Sequence, residues 1–173
     1  MFDEYFDFEV PYIDLFYEAK IDVSRIEIDG KLYGIELHIT TNRPFALRDP
    51  IVFNIDSRMN DGMFSINDIS HEEGYIYPHV EITVLSGAGN SYIEIYNAIE
   101  DRTTYIDNCS KNEVITMDYP IIQSSISSHN IQNDFNWVFF RVANTFENSR
   151  NDLTISLPCF IKIKYSPIVK VGL

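Results

Sequence analysis

Cysteine is scarce in this sequence: Cys109 and Cys159 are the only two among 173 residues. Two cysteines give at most one disulfide and fall short of the four ligands of a structural zinc site. Cys159 lies among the apolar residues of a strand pattern, so we predict two reduced thiols and a Cys159 that packs as a small hydrophobic side chain. The fold must then depend on its core, and a chain of this length buries roughly 70% of its unfolded surface.

Positive charge is also scarce, with 13 Lys and Arg against 26 Asp and Glu and a formal net charge of −13. An acidic surface repels phosphate backbones and anionic membrane surfaces, so we predict no nucleic-acid binding. No apolar run approaches the ~20 residues that span a bilayer, and the acidic first residues are unlike a signal peptide. We therefore predict no membrane insertion and synthesis in the cytoplasm.

The sequence shows no helical pattern of three turns, and alternation of apolar and polar residues takes its place. The longest alternating run has one apolar parity, formed by Leu153, Ile155, Leu157, Cys159, Ile161, Ile163 and Tyr165. Period-2 alternation predicts a strand with one buried face. Pro158 donates no ladder hydrogen bond, so it is predicted at a sheet edge, at a bulge or between two consecutive strands.

Turn residues divide the rest of the chain into short strands. Asp29-Gly30 predicts a hairpin turn, and a change of apolar parity predicts a bulge or tight turn near Ser24-Arg25. Residues 86–91 are predicted as the turn of a second hairpin, and residues 124–134 as a polar loop. Strands at this spacing predict an all-β, antiparallel sandwich or barrel, with Greek-key or jelly-roll connections. The predicted core includes Ile82, Val84, Ile93, Ile95, Ile115, Leu153, Ile155, Ile161 and Ile163.

Residue spacings typical of catalysis or of metal binding do not occur in the sequence. The four histidines are not spaced as metal ligands, and no nucleophile–base pair is apparent. We therefore predict no enzyme activity, no catalytic residue, no cofactor and no metal. A sandwich with two facing carboxylates could be a glycosidase, an alternative supported only by the abundance of acids.

The single tryptophan, Trp137, is the one candidate ligand-binding residue. Phe135, Phe139 and Phe140 surround it in the sequence. Such a cluster is more often part of a core, but an exposed tryptophan would provide a platform on which sugar rings stack. Both interpretations of Trp137 remain open at this stage.

Several loose motifs follow one another in a fixed order. Arg43-Pro44-Phe45-Ala46 ends a strand, GYIYPHVEITVLSGAGNSYIEIYN follows, and an Asn-Cys turn leads to EVITMD. FFRVANTFENSRNDLTIS and IKIKYSPIVKVGL complete the series. In this order the chain resembles the distal tail protein family of long-tailed phages with non-contractile tails, in versions carried by phages and prophages of Firmicutes. The likeness extends from about residue 31 to residue 173.

The resemblance implies a virion protein of the tail tip with two regions. Residues 1–49 would be a partial ring-type β region, and residues 50–173 a galectin-like β-sandwich. The family's function is that of a non-catalytic adaptor that joins the tail tube to the hub and to receptor-binding proteins. The resemblance also implies a six-fold homo-oligomer. We expect only weak self-association of this chain because its first region is short. The alternative function is a carbohydrate-binding module for host-surface adhesion, with a glycan as ligand and Trp137 in its site.

Overall fold

The computed structural model describes residues 15–145 and 147–170, including their side chains except at residues 88–90. These residues fall into two compact units, one of residues 50–167 and one of residues 15–49 with 168–170. In chain order the strands are β1 (Leu15–Phe16), β2 (Ala19–Ile28), β3 (Lys31–Thr41), β4 (Ala46–Arg48), β5 (Ile51–Asp56), β6 (Met63–Asn67), β7 (Gly74–Ile76), β8 (His79–Val84), β9 (Ala88–Asn97), β10 (Arg102–Ser110), β11 (Val114–Asp118), β12 (Ile121–Ser124), β13 (Val142–Asn144), β14 (Arg150–Ile155), β15 (Cys159–Tyr165) and β16 (Ile168–Val169). The described residues also form a 3-10 turn (Asn60–Gly62) and a one-turn helix, α1 (Ile131–Asp134).

The larger unit is an antiparallel β-sandwich. One sheet has the strand order β10-β9-β14-β6, and the other has the order β12-β11-β8-β15-β5. Alternate residues of both sheets point inward, and all nine residues of the predicted core are buried there. The prediction of an all-β sandwich is confirmed. No helix in the described part of the chain is long and apolar enough to cross a membrane.

Pro158 separates two consecutive strands, which is the third of the placements that the sequence left open. β14 ends before it in the four-stranded sheet, and β15 begins after it in the five-stranded sheet. Ser57 secures this crossing because its hydroxyl donates to the Leu157 carbonyl and accepts the Cys159 amide, both at 2.7 Å. The alternation continues across the proline because the two sheets face a common core.

Residues 86–91 do not form the turn of a hairpin, so that prediction is wrong. β8 pairs with β11 and β15, whereas β9 pairs with β10 and β14 in the other sheet. The chain crosses between sheets at Gly87, where an added Cβ would lie 2.8 Å from the Cys109 carbonyl oxygen. Part of the predicted polar loop is also helical, since α1 forms one turn there.

The two thiols lie inside the sandwich. Cys109 and Cys159 are free and fully buried, and both belong to the hydrophobic core. Burial raises the pKa of the Cys109 thiol to about 12 and that of the Cys159 thiol to about 11. The protonated thiols therefore pack as small hydrophobic groups over the physiological pH range.

The smaller unit contains a long two-stranded hairpin and a small sheet. β2 and β3 are joined by Asp29 and Gly30, whose φ values of 49° and 73° confirm the predicted tight turn. The predicted bulge is found one residue beyond Ser24-Arg25, between Ile26 and Glu27, and Ile26 pairs with Gly34. The small sheet has the order β1-β4-β16.

Candidate functional site

The β2–β3 hairpin carries an apolar face on which Arg25 is the one charged residue among the cross-strand pairs that follow. Ile21 pairs with Ile39, Val23 pairs with Leu37, and Arg25 pairs with Ile35. Because side chains alternate along a strand, these cross-strand pairs project from the same side. We call this surface the hairpin face, formed by Ile21, Val23, Ile35, Leu37 and Ile39.

The hairpin face is open to solvent. Its five side chains are between 59% and 64% exposed, and Tyr33 beside them is also exposed. Isolated surface apolar residues are ordinary, but a contiguous group of long aliphatic side chains on one face marks an interaction site. The sequence alternation identifies this face as apolar, and the structure shows that nothing in the described chain covers it.

The opposite side of the hairpin is polar. Lys20 Nζ lies 2.9 Å from Asp22 Oδ1, and the Ser24 hydroxyl donates to Glu36 at 3.1 Å. Within the described residues, β2 and β3 pair only with each other, so both outer edges expose backbone N–H and C=O groups. An isolated two-stranded hairpin is only marginally stable in water.

Trp137 contacts two of its aromatic neighbours in the fold but differs from them in exposure. Phe135, Phe139 and Phe140 are buried, whereas Trp137 is 56% exposed. The core interpretation therefore holds for the phenylalanines and fails for the tryptophan. Trp137 also has a φ of 60°, which is unusual for a bulky residue.

A buried polar cluster, which sequence reasoning missed, lies between β11, β12 and α1. Glu113 is fully buried and accepts hydrogen bonds from the Ser110 amide at 2.8 Å, the Ser124 hydroxyl at 2.5 Å and His129 Nδ1. The other ring nitrogen of His129 lies 3.2 Å from Asp134 Oδ2. These residues are spread over two turns and a loop, so no sequence motif announces them.

The polar cluster contains a serine, a histidine and a carboxylate, but its arrangement is not that of a nucleophilic triad. In a triad the histidine accepts the serine proton, and the carboxylate orients the histidine. Here the Ser124 hydroxyl donates directly to Glu113, and the His129 ring is buried. The geometry is that of a hydrogen-bonded support for the loop that precedes α1.

The comparisons with known proteins agree with this β architecture. A family model described as a phage tail C-terminal domain matches residues 45–165, which is most of the chain. The protein belongs to this phage tail family. It is therefore a phage tail structural protein, as the sequence motifs indicated. A comparison with curated proteins finds no match.

The fold also resembles a solved phage protein. The crystal structure of the Dit protein of phage SPP1 superimposes with a TM-score of 0.53 at 9% sequence identity. That structure is described as a paradigm of the hub adsorption apparatus in phages that infect Gram-positive bacteria. The match covers 89% of this chain and 61% of the SPP1 protein. The predicted resemblance is thus confirmed for a phage tail family, and for a distal tail protein at the level of the fold.

Proposed function

We propose that this phage tail protein is a non-catalytic adaptor at the distal tip of the tail, where it joins the tail tube to the hub and receptor-binding proteins. The observation that carries this proposal is the exposed hairpin face of an otherwise well-packed β protein. Adaptors need apolar faces and open strand edges for their partners. The Glu113–His129 cluster, which contains a serine, a histidine and a carboxylate, is buried and therefore closed to a substrate.

The partner that we propose for the hairpin face is a second copy of the chain, as in the six-fold ring that the family resemblance implies. The aliphatic side chains supply the buried apolar area that an interface core requires, and the polar side remains in water. The two open edges allow a neighbouring copy to add a strand.

The net charge opposes this self-association. Copies that each carry −13 repel one another, and salt screens this repulsion because the Debye length falls to about 8 Å at physiological ionic strength. We expect a monomer or small oligomer in dilute low-salt buffer, and larger assemblies as salt increases or when a tail partner is added.

Neutral substitutions on the hairpin face test the proposal. The double variant Val23→Ser with Leu37→Ser removes two exposed aliphatic groups without changing the charge. The variant should lose about 3 kcal/mol of favourable apolar burial in the interface. The association constant should therefore fall by about a hundredfold or more. Light scattering across protein and salt concentrations, and binding to purified tube and hub proteins, measure the effect.

The matched control lies on the polar side of the same strands. His38→Gln with Thr40→Ser changes two exposed residues that point away from the hairpin face and should leave assembly unchanged. If the wild-type chain remains monomeric at all salt concentrations and binds neither tube nor hub protein, the proposed assembly role of the hairpin is wrong.

A further inference from the structure

A ladder of contacting aromatic rings runs across part of the sandwich. Tyr77 stacks on Tyr119 with centroids 4.0 Å apart, and Tyr119 meets Phe139 edge-on at 5.3 Å. Phe139 in turn contacts Phe135 at 4.9 Å and Trp137 at 6.4 Å. Tyr119 and Trp137 are both more than half exposed, whereas the two phenylalanines beneath them are buried. The ladder therefore presents two open rings on a rigid apolar support.

Trp137 is held in position although it is exposed. Its indole N–H donates to the Gln132 carbonyl at 3.1 Å, which fixes the rotation of the ring. The neighbouring Asn136 side chain accepts the amides of Tyr105 and Val138 and donates to the Thr103 carbonyl. Asn136 thus ties the segment to the edge of β10. An exposed ring that is immobilised before it meets a ligand loses little entropy on binding.

The backbone at Trp137 is strained, with a φ of 60°. A glycine would take this conformation at little cost, so the bulky residue does not serve the turn. Because the ring is half exposed, its full burial in the core does not explain it either. Strain that the surrounding structure maintains at an exposed side chain points to a role in binding.

The chemistry around the ring indicates the class of ligand. The faces of aromatic rings carry partial negative charge and attract the weakly positive C–H groups on one side of a sugar ring. Gln132 and Asn133 are exposed amides in the turn whose Gln132 carbonyl holds the Trp137 indole, and their side chains can both donate to and accept from sugar hydroxyls. The net charge of −13 disfavours anionic polymers. We propose that Trp137 and Tyr119 form a shallow binding site for a neutral oligosaccharide, independent of the hairpin face.

The site contains its own reporter because Trp137 is the single tryptophan of the chain. Its fluorescence is recorded in the full-length protein while maltotriose, lactose or tri-N-acetylchitotriose is added up to about 20 mM, which would saturate a site with a Kd of about 1 mM. At least one sugar should shift the emission to shorter wavelength and protect the ring from quenching by acrylamide.

Calorimetry on substituted proteins then tests whether the sugar binds at Trp137. Trp137→Phe should keep most of the affinity, whereas Trp137→Ala and Trp137→Gly should each reduce it at least tenfold. The glycine variant relieves the backbone strain at this position, so strain created by the substitution does not account for its loss of binding. Phe160→Ala removes an exposed aromatic ring that lies outside the ladder and serves as the matched control.

Two results would overturn the proposal. One is that none of the three sugars binds the wild-type protein. The other is that Trp137→Ala binds sugar as well as wild type does. Binding to tube or hub protein that is weakened by Trp137→Ala, without any sugar binding, would assign the exposed ring to a protein interface instead.

Discussion

Glu113→Ala is expected to lower the free energy of unfolding by about 3–5 kcal/mol, because it removes the acceptor of several hydrogen bonds and leaves a cavity in the fold. The Glu113 carboxylate is fully buried and accepts three hydrogen bonds, from Ser110, Ser124 and His129. Alanine would remove the acceptor of the Ser110 amide and of His129 Nδ1, would leave the Ser124 hydroxyl with only the longer bond to the Ile126 carbonyl, and would create an empty volume. Urea denaturation followed by circular dichroism measures the change.

Two further variants distinguish the effect of losing buried hydrogen bonds from the effect of losing an acidic side chain. Glu113→Gln keeps the shape and one carbonyl acceptor, so it should cost less than the alanine variant. Glu81→Ala removes an exposed acid from the outer face of β8 and should change stability by no more than about 0.5 kcal/mol. A Glu113→Ala protein as stable as Glu81→Ala would show that the buried cluster does not support the fold.

Gly62→Ala is expected to cost about 3 kcal/mol because it combines two separate penalties. Gly62 has a φ of 77°, which disfavours any side chain. An added Cβ would also lie 2.4 Å from the Ile155 carbonyl oxygen, so the end of β14 would have to move. Thermal and urea unfolding of the purified variant measure the loss.

Substitutions of two other glycines in the sandwich distinguish the cost of backbone strain from the cost of crowding. Gly74→Ala meets a positive φ of 137° with no atom within 4 Å of the added Cβ, so it tests backbone strain alone. Gly87→Ala places a Cβ 2.8 Å from the Cys109 carbonyl oxygen without a positive φ, so it tests crowding alone. A Gly62→Ala variant with wild-type stability would mean that β14 does not pack against the turn as the structure has it.

The sandwich could be predicted from sequence because its strands are half buried. Period-2 alternation placed Ile82, Leu153 and Ile161 in the core, and all three are buried. The connections between strands were harder to predict. The composition of residues 86–91 fits a hairpin turn and a connection between two sheets equally well. Which sheet receives the next strand depends on contacts distant in sequence, such as the approach of Gly87 to Cys109.

The sequence also predicted only part of each candidate site, because local patterns do not show which residues the folded chain leaves exposed or brings together. The pattern of β2 and β3 shows an apolar face but does not show whether another part of the chain covers it. The aromatic cluster around Trp137 is apparent in the sequence, yet the exposure of its one tryptophan depends on a positive φ that no local pattern indicates. The residues that bind Glu113 come from separate turns and loops, so the cluster exists only in the folded chain.

The position of the protein in the virion tests the central claim most directly. Gold-labelled antibodies against the sandwich are applied to particles of the phage or prophage that encodes the chain, and the particles are imaged by electron microscopy. The adaptor proposal predicts labels confined to the distal end of the tail. Labels distributed along the tail tube, or particles that lack the protein, would contradict it.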